Sequence, residues 1–258
     1  MGKRGRCADL DWDEAADDVL AGRLGPLDRS EVVDWPARVW RLLGDGASGL
    51  ERLLRCRDAL ADGVLFSSDY SGMGCERDAM SAAFDASADA FGAFEELDIG
   101  RFSPRIEFTR SCDHNPVARY VLLYLAKEMD ASQSCVFSSI EDQIPLVARD
   151  HIESLTPPRG SDLATWTEAN RLIDMFLMEN RELIYKATNE CPCLVHERNC
   201  PLVPPAHVAS RCLRVNSAGN ACWAWSSVGI QAREADSTEA PWFIWLRARQ
   251  RLAELEVR

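Results

Sequence analysis

Val64-Leu65-Phe66-Ser67-Ser68-Asp69-Tyr70-Ser71-Gly72-Met73-Gly74 runs from an apolar tripeptide through small polar residues to two glycines, and helical sequence follows at 74–92. A strand that feeds a glycine turn and then a helix is the opening of a parallel α/β unit. The pattern recurs along the chain. Arg105-Ile106-Glu107-Phe108-Thr109, Cys135-Val136-Phe137 and Arg211-Cys212-Leu213-Arg214-Val215 read as three more strands, with helices expected at 115–128, 163–186 and 238–256. Loops at Pro157-Pro158-Arg159-Gly160 and from Pro201 to Pro205 bound an insertion at about 146–207. Ahead of the sheet, residues 1–62 form a helical extension. Apolar residues recur there at helical spacing through Val39-Trp40-Leu42-Leu43 and Leu50-Leu53-Leu54, and Gly44, Gly46 and Gly49 divide it into two or three short helices.

At 258 residues and 47% hydrophobic content the chain can bury one sizeable core. No apolar run approaches the roughly 20 residues of a membrane span, and acidic residues follow the basic start where a signal peptide would carry an apolar core. The expectation is a soluble, intracellular protein, without a membrane partner, whose ten cysteines are mostly reduced. A net charge of -12 argues against a broad polyanion-binding surface. Residues 63–146 hold 14 acidic and 6 basic residues, whereas 147–258 hold 14 and 13, so any polyanion contact belongs to the C-terminal part. There the last helix carries Arg247, Arg249 and Arg251.

Four short segments carry the chemistry. Gly72 and Gly74 would let the backbone turn tightly and approach a ligand at a helix N-terminus, although a tight turn alone explains them equally. Asp113, in Ser111-Cys112-Asp113-His114-Asn115-Pro116, sits where a nucleotide-binding unit places its ribose acid. It could equally be a helix N-cap with Pro116 at the first helical position. His114 reads as a surface loop residue. Ala218-Gly219-Asn220-Ala221-Cys222-Trp223-Ala224-Trp225-Ser226 presents a thiol in a short glycine-led loop, a placement suited to a covalent nucleophile.

In order and placement these segments resemble the DNA (cytosine-5) methyltransferases, over about residues 63–145 and 208–246. The resemblance implies a Rossmann-like sheet, apparently incomplete, with S-adenosyl-L-methionine as cofactor. It assigns cofactor binding to Asp69, Tyr70, Gly72, Gly74, Asp113, Ser139 and Ile140, and makes Cys222 the nucleophile that adds to C6 of a flipped cytosine. Tyr70 replaces a family phenylalanine, and Ser139 stands where the family has an adenine-contacting aspartate, unless Glu141 or Asp142 takes that role. Around Cys222 the glycine, the aromatic at Trp225 and Ser226 match, while the family's proline and glutamine do not. Only 36 residues follow Cys222, too few for the family's later motifs and recognition domain. The chain is therefore expected to methylate DNA weakly or not at all alone, with a second chain as a candidate source of the missing elements. Its compartment would be the nucleus where DNA is the substrate.

Two rivals stay open: a non-catalytic interaction scaffold, with or without zinc, and a methyltransferase acting on RNA or another substrate. Cys191, Cys193, His196 and Cys200 supply soft ligands in the pattern C-x-C-x2-H-x3-C. That spacing fits no paired CxxC pattern, so no metal is assigned from it. Incidental thiols explain it as well.

Overall fold

The structure is a computed structural model that describes residues 29–69, 72, 74–92, 105–128, 134–158, 160–186, 188–202, 211–219 and 239–256. In chain order the elements are α1 (Arg29–Gly44), α2 (Gly49–Leu60), β1 (Val64–Asp69), α3 (Cys75–Gly92), β2 (Ile106–Cys112), α4 (Pro116–Glu128) and β3 (Cys135–Phe137). A 3-10 turn (Glu141–Gln143) leads into α5 (Leu146–Leu155), α6 (Leu163–Glu179), α7 (Arg181–Ile184), β4 (Glu190–Cys193), β5 (Arg198–Pro201), β6 (Leu213–Ala218) and α8 (Glu239–Glu256).

The chain divides into two compact units, Met1–Asp58 with Ser81–Ser103, and Ala59–Met80 with Pro104–Arg258. Within the first, the Trp40 indole N–H donates to the Ala83 carbonyl at 2.6 Å. Residues 45–48, with Gly46 among them, separate α1 from α2, close to where the glycine pattern predicts a break.

The second unit holds a six-stranded sheet in the order β5-β4-β3-β2-β1-β6. β1 pairs in parallel with both β2 and β6, and β2 with β3, so the expected α/β sheet is present. All six residues of β1 are buried, which suits a central strand covered on both faces. The register aligns Asp69 with Cys112 and with Ala218, and Cys112 with Phe137. Four strands therefore end level, and the loops after them leave from one edge.

The insertion contributes two features that the sequence reading lacks. One is the antiparallel hairpin β4–β5, which extends the sheet beyond β3. The other is an apolar cluster in which Ile152 of α5, Ile173 and Leu177 of α6, and Ile184 of α7 close on Ile244 of α8. Among the described residues no helix is long and apolar enough to cross a membrane.

Candidate functional site

Between β1 and β6 the strand order reverses direction, since β2 and β3 lie on one side of β1 and β6 on the other. A crevice outside the carboxyl ends of parallel strands at such a switch point is where ligands bind in open α/β sheets. Gly72 (φ +52°) and Gly74 (φ +80°) both lie in the left-handed region that glycine enters without a Cβ penalty. At Gly74 a Cβ would stand 3.2 Å from Leu125 and 3.3 Å from Leu122, so this glycine lets α4 pack closely on the turn. At Gly72 a Cβ would meet nothing within 4 Å among the described residues.

Asp113 is tied to this turn. Its Oδ2 accepts the Gly72 N–H at 2.7 Å, and its Oδ1 accepts the Asn115 N–H at 2.8 Å. The helix cap belongs to Asn115, whose Oδ1 accepts from Val117 N–H at 2.8 Å. The N-cap alternative for Asp113 is thus corrected, because the chain enters α4 two residues later. His114 is exposed, as expected of a loop residue.

Asp69 stands at the end of β1 with no exposed surface. Arg110 donates to its Oδ2 at 2.7 Å, Gln143 donates to its Oδ1 at 3.1 Å, and Arg110 also donates to Gln143 Oε1 at 3.2 Å. Arg249 of α8 approaches the same carboxylate at 3.8 Å. Nothing in the sequence spacing joins these four residues, which come from β1, β2, the 3-10 turn and α8. The Asp69 carboxylate is committed to this network, while its carbonyl accepts the Gly219 N–H at 3.2 Å.

Ser139 donates its hydroxyl to Glu141, so a carboxylate stands beside this serine. Ile140 is buried in the apolar cluster with Ile144 and Ile173. Tyr70 and Cys222 lie outside the described residues. Gly219, three positions before Cys222 in the sequence, is fastened to the end of β1.

A second constellation lies to the side, where β4 and β5 extend the sheet beyond β3. The Sγ atoms of Cys135, Cys193 and Cys200 and the Nδ1 of His196 all lie within 4.8 Å of one another. Nδ1 is 3.6 Å from Cys135, 3.3 Å from Cys193 and 3.4 Å from Cys200. The Cys193 thiol is pulled down to about 4, chiefly by a hydrogen bond from Cys135. Burial opposes this, and backbone N–H groups of His196, Val136 and Val195 add to it. That same hydrogen bond, then burial, pushes Cys135 up, and burial raises Cys200. Cys191, the fourth member of the sequence cluster, is not in this group. It is buried instead, and burial pushes its thiol up to about 12. Cys135 takes its place from 58 positions upstream of Cys193, too far for any spacing pattern to reveal.

Compared with protein-family models, curated proteins and solved structures, the chain matches none.

Proposed function

We propose that this chain is an S-adenosyl-L-methionine-dependent methyltransferase domain of the DNA (cytosine-5) type. The observation that carries the reading is the junction at the switch point. Asp113 binds the backbone of the Gly72 turn, and Gly219, three residues before Cys222, binds the end of the same β1 strand. The meeting of the Gly72 turn, Asp113 and Gly219 at the carboxyl end of β1 supports reading them as cofactor turn, ribose acid and the approach to the nucleophile.

The residues present suit the cofactor. No described residue fills the space beside Gly72 where a ligand would approach the backbone, and each oxygen of Asp113, having accepted one N–H, keeps a second acceptor direction for a ribose hydroxyl. Ser139 and Glu141 offer polar groups for the adenine, with Ile140 anchoring their loop in the core. Asp69 supports the site from beneath through Arg110 and Gln143.

When bound, S-adenosyl-L-methionine supplies an electrophilic methyl group. Cys222, as thiolate, adds to cytosine C6 and makes C5 nucleophilic enough to take the methyl group. Loss of the C5 proton then expels the thiolate and restores the ring. Flipping the cytosine out of the duplex gives the thiol access. DNA is the partner on this reading, and the nucleus the compartment where the substrate is found.

Calorimetry with S-adenosyl-L-methionine, paired with transfer of a labelled methyl group to DNA, tests the assignment. Expected are cofactor binding that Asp113→Ala weakens at least tenfold and transfer, even if slow, that Cys222→Ser abolishes. A folded protein that binds no cofactor overturns the reading. Label found on RNA or a small molecule keeps the cofactor site and replaces the substrate.

A further inference from the structure

Three thiols and one imidazole nitrogen converge where the β4–β5 hairpin meets β3. A ring nitrogen has one lone pair or one proton, so His196 Nδ1 cannot serve three sulfurs at once. Yet all three approach it at 3.3–3.6 Å. In a tetrahedral site with Zn–S of about 2.3 Å and Zn–N of about 2.0–2.1 Å, the nitrogen-to-sulfur edge comes to roughly 3.5–3.6 Å. The spacing is that of four ligands around a common centre. A disulfide would engage only two of the sulfurs, and all three are free thiols.

We propose that Cys135, Cys193, His196 and Cys200 form a structural zinc site that clamps the β4–β5 hairpin to β3. The donor set of three thiolates and one imidazole is soft, closed and four-coordinate, the signature of structural zinc rather than of calcium, magnesium or a catalytic metal with an open position. The three cysteines are buried and His196 half-buried, so the ion would be shielded from solvent. Backbone N–H groups of Val195 and His196, in the turn between β4 and β5, point at Cys193 Sγ.

The fold explains why a metal is useful here. β3 and β4 share a single paired register position, Phe137 with Cys193, supplemented by the Leu194 N–H to the Val136 carbonyl at 2.8 Å. β4 and β5 are four residues each, too short for a stable hairpin by themselves. A zinc ion with ligands on β3, at the end of β4, in the turn and on β5 joins all three strands at one point. It also closes the chain across the whole segment that carries α5, α6 and α7. This inference is independent of the methyltransferase reading.

Metal analysis of the full chain, purified under reducing conditions without added chelator, is the test. One zinc per chain is expected, released as a thiol-specific mercurial titrates the cysteines. Replacement by cobalt should produce a thiolate-to-cobalt charge-transfer band and visible absorption of tetrahedral cobalt. Cys193→Ala and His196→Ala should lose at least tenfold in zinc affinity, whereas Cys191→Ala, outside the ligand set, should keep full zinc. The cobalt spectrum of the unmodified chain decides the matter should the ligand variants fail to fold. A folded chain that takes up neither zinc nor cobalt, iron in place of zinc, or zinc lost in Cys191→Ala with Cys135→Ala unaffected would each overturn the proposal.

Discussion

Asp69 shows how one residue can hold two sets of loops. The resemblance makes it a cofactor residue, but the carboxylate is fully buried and bonded to Arg110 and Gln143. Its contribution to the site is to fix the end of β1, from which the Gly72 turn departs. Removing one partner from a buried ion pair leaves the other charge uncompensated, and that costs more than the pair itself stabilises. Asp69→Asn is therefore expected to lower unfolding stability by about 3–5 kcal/mol, read from urea denaturation. A loss under about 1 kcal/mol would mean that water reaches Arg110 and the network is less closed than its distances indicate. Asp113 differs in kind, because its partners are backbone N–H groups of the turn and its effect should appear in ligand binding.

At the level of elements, the arginines of the last helix turn toward carboxylates of the same unit. Arg247 donates to both oxygens of Asp174 on α6 at 2.7 and 2.6 Å. Arg251 lies 3.0 Å from Glu254 and 3.6 Å from Glu182, and Arg249 reaches Asp69. Because these side chains neutralise internal acids, the balanced charge of residues 147–258 does not translate into a free basic stripe on α8. The Arg247–Asp174 pair fastens α8 to α6 above the cluster of Ile173, Leu177 and Ile244. Asp174→Ala should cost about 1.5–3 kcal/mol, the range for a hydrogen bond to a charged group. A double-mutant cycle with Arg247→Ala would assign that cost to the pair, and independent effects of the two changes would contradict it. The hairpin escaped detection for a local reason: Pro192 and Pro201 within four-residue strands argue against pairing in any single-sequence reading.

For the molecule as a whole, ligand binding and folding are linked. A ligand that binds only the folded state stabilises it by about 2.7 kcal/mol at a hundredfold excess over Kd. S-adenosyl-L-methionine should accordingly raise the thermal midpoint of the full chain, and Asp113→Ala should abolish most of that rise; an unchanged midpoint at saturating cofactor would count against the crevice. The sequence by itself determined the order and kind of the parallel elements, because apolar runs, glycine turns and amphipathic spacing are local signals. β1, β2, β3 and β6, and the helices after the first two, stand close to where those signals place them. It also pointed to Gly72, Gly74 and Asp113, whose residue types are dictated by the turns they occupy. Only the tertiary structure decided that Asp113 grips the Gly72 turn, that Arg110, Gln143 and Arg249 converge on Asp69, and that Cys135 rather than Cys191 joins Cys193, His196 and Cys200. The reason is register. Parallel strands are joined by long crossovers, so no turn between them dictates which residues come level, and packing of the whole sheet sets the alignment.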